Sequence, residues 1–200
     1  MQQLSHYYTI VAFALLIPAW VVFLGVFVVR RKPAAAPDSK RAPQSFIGIA
    51  LQAVAVGVVW TFYRVPFLSP IVEGQYLANI VLVTLAILLE VGAIWFAHSA
   101  VKELGKQFAL QARLIEGHEL ITTGVYGIVR HPIYTAFFAM TLATGLIVSH
   151  WIALAVAACL FIIGTQIRTA SEDRLLSEAF GNEFRSWKEE VPALVPFLKL

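Results

Sequence analysis

The chain has 200 residues, 59% of them hydrophobic and 14% charged, with a formal net charge of +3. Soluble domains carry an apolar share nearer one half, so this composition excludes an ordinary soluble fold and reads as a membrane protein. The small net charge carries no nucleic-acid signature, and a lone cysteine, Cys159, excludes an internal disulfide and a multi-cysteine metal site.

The N-terminus, MQQLSHYY, lacks a basic leader, and the apolar run that follows is longer than a signal-peptide core, so the first helix is expected to remain in place. Residues 8–29 form an uncharged apolar run of spanning length. Residues 46–63 and 76–97 are similar, interrupted only by Gln52 and Glu90. A Pro/Ala linker around residues 31–43, flanked by charge, reads as a topology anchor. Residues 132–167 are apolar again, but Val148-Ser149-His150-Trp151 places polar groups and an interfacial aromatic in the middle, which predicts two short helices. The expected fold class is therefore an all-α integral membrane protein with about five transmembrane helices, the last two a hairpin, followed by an amphipathic C-terminal helix. Residues 1–103 are expected to form an N-terminal membrane region and 104–200 the region that carries chemistry.

Fourteen of the fifteen Lys and Arg residues fall in the segments after the first, third and fifth helices, and only Arg64 follows the second. The positive-inside rule then places the N-terminus outside and the C-terminus in the cytoplasm, together with both long polar stretches, 98–131 and 168–200. Glu90 is an ionisable residue inside an apolar helix, a functional candidate on cost alone, with a protonated bundle residue and an interfacial position as its other readings. His6, His98 and His150 show no metal-ligand spacing.

The stretch LGKQFALQARLIEGHELITTGVYGIVRHPIY is too polar to be embedded and reads as a structured loop punctuated by Gly117, Gly124 and Gly127. Pro132 suits the first turn of the fourth helix, which puts His131 at its entrance, where unpaired N–H groups favour an anion such as the carboxylate of an amino-acid-like cofactor. Taken alone, Arg130 equally fits an interfacial anchor and His131 an interface histidine. Arg168 and Glu172, four apart where the fifth helix runs into charge, share a helix face, and as an isolated pair fit a surface salt bridge.

Together, "LGKQF…GHELITTGVYGIVRHPIYTAF" and "IRTASEDRLL…FGNEF…VPALVPF" resemble the isoprenylcysteine carboxyl methyltransferase family over residues 104–197. The resemblance implies an all-helical membrane fold binding S-adenosyl-L-methionine between the loop before the hairpin and the helix after it. It implies cofactor contacts from Gln111, His118, Glu119, Leu120, Ile121, Tyr126, His131, Pro132, Ile133, Tyr134 and Glu172. It makes Arg168 the residue that holds the carboxylate of a lipophilic substrate entering from the bilayer. Val125 stands where the family often has Pro, Ala136 where Gly is frequent, and Asp173 where a second Glu is usual. The competing expectations are a phospholipid N-methyltransferase, an NADPH-dependent sterol-type reductase and a non-catalytic membrane scaffold or small transporter.

Overall fold

The computed structural model describes residues 2–29, 38–65, 67–110, 113–196 and 198. Five apolar helices occupy the expected segments: α1 Gln2–Val29, α2 Ser45–Thr61, α3 Tyr76–Leu104, α4 Pro132–Val148 and α5 Trp151–Phe180. The continuous segments Gln2–Val29, Tyr76–Gln107 and Trp151–Phe180 are long and apolar enough to cross a membrane, whereas α2 and α4, at 17 residues each, are shorter. The break between α4 and α5 falls at Ser149-His150, where the His150 ring nitrogen Nδ1 accepts from the Ile152 N–H at 3.4 Å. A short amphipathic helix, α6 Asn182–Glu190, follows Gly181 and buries Phe184 and Trp187.

One element departs from the all-α expectation. Backbone of the linker, β1 Asp38–Arg41, pairs antiparallel with β2 Arg113–Ile115, with a register irregularity between Asp38 and Lys40. The linker is thus tied by ladder hydrogen bonds to the polar loop that precedes α4. Periodicity gave no sign of this, because a four-residue strand is too short to show alternation.

α3 packs mainly on α4 and α1, and α2 mainly on α5. Small residues on the buried side of α3, Ala86, Ala93, Ala97 and Ala100, let neighbouring backbones come close, which suits a bundle whose outer surface gains nothing from burial in lipid. Between α2 and α5 the approach is tighter. A Cβ on Gly48 would collide with the Gly164 carbonyl and the Arg168 side chain.

At the bundle end away from the polar loops, Asn79 donates to Ser5 Oγ at 2.8 Å and Thr9 Oγ1 at 3.2 Å. The buried Arg64 donates there to the carbonyls of Ser69 (2.7 Å), Ser149 (2.6 Å) and Ile147. Its cation thereby sits on the negative end of α4 and satisfies carbonyls that the helix leaves orphaned. Replacing Arg64 by Met keeps the stem and strands those acceptors. Charge-assisted hydrogen bonds contribute about 1.5–3 kcal/mol each, so a loss of about 2 kcal/mol or more is expected. Melts of the detergent-solubilised variant at an unchanged temperature would contradict this capping role.

Candidate functional site

The polar ends of α3, α4 and α5 meet the loop 105–131 around a cavity of about 560 Å³. It is lined by His118, Glu119, Leu120, Ile121, Tyr126, His131, Pro132, Ile133, Tyr134, Arg168 and Glu172. Gln111 lies outside the described residues. Glu90 is buried and does not line this cavity, and one of its carboxyl oxygens has no partner among the described residues.

Local folding explains how residues 40 positions apart converge. The positive φ of Gly124 turns the chain into a 3₁₀ segment, Gly124–Gly127, against the end of α3, where a side chain at 124 would overlap the Glu103 carboxylate. This brings Arg130-His131-Pro132 to the start of α4, with Pro132 in its first turn. The C-terminal segment then clasps that turn from outside. Arg130 N donates to Pro192 O at 2.9 Å, His131 N to Ala193 O at 3.0 Å and Thr135 Oγ1 to Leu194 O at 2.7 Å. Arg130 Nη1 also donates to the carbonyls of Lys188, at 3.0 Å, and Val191, so the guanidinium caps the C-terminus of α6. Arg130 is therefore more than an interfacial anchor.

The buried His131 ring lies between two neighbouring carboxylates of α5. Its Nδ1 is 3.2 Å from Glu172 Oε2 and its Nε2 3.0 Å from Asp173 Oδ1. Both nitrogens can donate only in the imidazolium form. Burial alone would lower this pKa, but the hydrogen bonds to Asp173 and Glu172 and their charges outweigh it and hold the group above the ordinary histidine value. Asp173 is held in turn by Lys188 Nζ at 2.9 Å and Arg130 Nη2 at 3.6 Å. Glu172 also accepts from the Tyr134 hydroxyl.

Arg168, one turn before Glu172, lies with Cζ 4.4 Å from the centroid of the Tyr134 ring. Its Nη1 donates to Gln52 Oε1 at 2.9 Å and its Nη2 to Leu110 O at 2.6 Å. Burial lowers the pKa of His118, with Arg113 adding to it, and burial raises that of Tyr126, with Glu172 and Glu103 adding to it, so both are neutral near pH 7. Arg130 Nε, Arg168 Nε, Trp187 Nε1 and His118 Nδ1 are buried with no partner among the described residues, and all four residues line the cavity with other parts of their side chains.

Sequence reasoning placed Arg130 only as part of the hinge that opens α4, and did not place Gln52, Gln107, Arg113, Asp173 or Trp187 at the site. Gln107 Oε1 accepts from Glu119 N at 2.6 Å and so shapes the loop around Glu119. Trp187 had a findable signal, the apolar stripe Phe184/Trp187 on an otherwise charged helix; Gln52 had only its polarity within an apolar run.

Helices long and apolar enough to cross a membrane, packed around a cavity with charged side chains in its wall, define an integral-membrane protein with a candidate ligand site at the edge of the bundle. The chain belongs to the phospholipid methyltransferase family, whose model matches residues 81–183, just over half its length. It is similar to the protein-S-isoprenylcysteine O-methyltransferase of Schizosaccharomyces pombe, 22% identical over 145 residues, which is 72% of this chain and 53% of that one. With protein-S-isoprenylcysteine O-methyltransferase B of Arabidopsis thaliana it shares 28% identity over 149 residues, 73% of each chain. The match thus spans about half the length of the yeast relative. A solved structure of a eukaryotic intramembrane Ras methyltransferase, isoprenylcysteine carboxyl methyltransferase, superposes with a TM-score of 0.60 over 96% of this chain and 68% of that one, at 19% identity, which establishes a shared fold.

The imidazolium assignment has a consequence for stability. A raised folded-state pKa gives stabilisation that is complete below the unfolded value of about 6.5 and is lost as pH rises through the folded value. The melting temperature is expected to fall as pH is raised from about 6.5 through that range. Asp173→Asn is expected to melt lower at pH 6 and to show a flatter profile; a profile unchanged in that variant would remove the assignment.

Proposed function

We propose that the protein is an integral-membrane methyltransferase that moves a methyl group from S-adenosyl-L-methionine to the carboxylate of an isoprenylcysteine or a similar lipophilic acid. The observation that carries this reading is a cavity walled by both charged and apolar side chains: Arg168, His131, Glu119 and Glu172 line it together with Phe23, Phe27, Phe46, Ile49 and Phe137. The names of the relatives support the same reaction class.

The wall fits the cofactor through Glu172 and Glu119, which suit its ammonium and ribose hydroxyls. The backbone of residues 118–121, with Tyr126 and His131 to Tyr134, would hold the remainder, and Gln111 belongs to this set by family position. S-adenosyl-L-methionine, when bound, supplies a methyl group on a cationic sulfur, and its transfer to a carboxylate cancels opposite charges, which a water-excluding site favours.

Arg168 lines the cavity with its guanidinium held against the Tyr134 ring, and in this reading it orients the acceptor carboxylate. Glu172 cannot act as a free base while it accepts from Tyr134 and faces the His131 cation, and a carboxylate acceptor needs no base. An ammonium acceptor would need one, and would meet Arg168 as a like charge. We assign all five apolar helices to the membrane and the polar end to the cytoplasm, with the N-terminus outside, in keeping with the basic loops. In this reading residues 104–200 form the catalytic region. Leu24 of α1 and Phe46 of α2 line the cavity yet are 53% and 67% exposed, so the lipid tail enters between these two helices.

Membranes given cofactor labelled in the methyl group should yield base-labile methyl esters. Label confined to base-stable N-methyl lipids would favour a phospholipid amine acceptor instead. Arg168→Ala is expected to lower kcat/KM for the acid by roughly two to three orders of magnitude with cofactor affinity within a few fold. Glu172→Gln is expected to weaken cofactor binding about tenfold or more in calorimetry. Full turnover of a carboxylate by Arg168→Ala would sink the clamp.

A further inference from the structure

We propose that Gln52, in the middle of α2, is a positioning residue of the acceptor site: it presents the Arg168 guanidinium to the cavity without neutralising it, and so sets selectivity for a carboxylate over the corresponding ester. The inference rests on the carboxylate reading above and adds to it a residue outside the matched family region, residues 81–183.

Gln52 is 1% exposed, and burying an amide in an apolar helix is costly unless each of its ends is partnered. Here both ends are. Thr165 Oγ1 gives its proton to Phe161 O at 2.8 Å, so toward Gln52 it can only accept, and it does so from Nε2 at 2.9 Å. That orders the amide. Nε2 points to Thr165 and Oε1 is left to face Arg168 Nη1 at 2.9 Å. With Leu110 O on Nη2 and the Tyr134 ring beneath Cζ, the guanidinium is fixed on three sides, while its buried Nε has no partner among the described residues. Gln52 and Arg168 both line the cavity.

The two side-chain and backbone partners of the guanidinium are neutral oxygens. A glutamate at position 52 would form the same hydrogen bond and cancel the charge; a leucine would leave the guanidinium loose in the cavity. Glutamine alone among residues of this length both holds the cation and leaves its charge for a ligand. The contact also needs α2 at close range, which Gly48 and Gly164 permit. Selectivity toward the acceptor is thereby assigned to α2.

The test compares N-acetyl-S-farnesylcysteine with its methyl ester by calorimetry on detergent-purified wild type, Gln52→Met and the near-isosteric Gln52→Glu, with S-adenosyl-L-methionine affinity measured alongside. Wild type is expected to favour the acid at least tenfold. Gln52→Met is expected to reduce that preference to threefold or less and Gln52→Glu to abolish it, with cofactor affinity within about twofold throughout. A wild-type preference preserved in both variants overturns the role of Gln52 and leaves the carboxylate reading standing. Wild type that binds acid and ester alike overturns the carboxylate reading and this inference with it. Parallel loss of cofactor and acid binding in both variants would mark Gln52 as a packing residue and overturn the proposal.

Discussion

A buried imidazolium between two adjacent carboxylates organises the polar end of this protein. A charge removed from water is tolerated only when its partners are close and well aligned, and the loss of one partner strands the others. His131, Glu172 and Asp173 meet that condition mutually, and they join the entrance of α4 to α5. His131 fixes the start of α4, the two acids fix the rotation of α5, and Asp173 draws in Lys188 of α6 and Arg130 of the preceding loop. Arg130 then secures the chain beyond α6 through the carbonyls of Lys188 and Val191. Four stretches of sequence are thus held by one set of charges.

The same set explains why two consecutive acids on α5 do different work. Adjacent residues on a helix point about 100° apart. Glu172 lines the cavity and Asp173 does not. Asp173 orders the histidine that faces Glu172, so the shorter side chain at the second position suits a post whose partners come to it. Arg168 belongs to the Glu172 side, one turn earlier, and Tyr134 bridges them, with its ring against the guanidinium and its hydroxyl on the carboxylate. A cation and an anion of the cavity wall are kept apart by one aromatic ring.

Much of this was legible in the sequence and some was not, for physical reasons. Hydrophobic runs place five helices, and Ser149-His150 divides the last pair because polar groups there serve as the turn and the cap. Spacing put Arg168 and Glu172 on one helix face, and the family resemblance brought His131 and Tyr134 to them. Gln52 was not, since its partner lies 116 residues away and its own surroundings are uniformly apolar. Arg64 was legible as the odd cation on its side of the bundle, but its use as a helix cap depends on the tertiary approach of α4. The β1–β2 ladder was hidden by the shortness of its strands. Arg130 shows the limit of reading residues singly: a guanidinium at a membrane boundary is compatible with anchoring, and only the return of the C-terminal segment reveals what it binds.

The apolar helices outside the matched region are consequently more than a hydrophobic jacket. α5 carries Thr165, Arg168 and Glu172 at intervals of three and four, so they share one face, and an unbroken helix keeps them in phase. α2 reads the first two of these through Gln52, and the start of α4 reads the third through Tyr134 and the capping His131. The face of α5 therefore serves two partners along its length, one from the apolar half of the chain and one from the entrance of α4. A single residue inserted between Arg168 and Glu172 would turn the acid about 100° away from the loop while leaving the arginine on α2. Any division of labour between holding the methyl donor and choosing its acceptor has to be drawn across this one turn of helix.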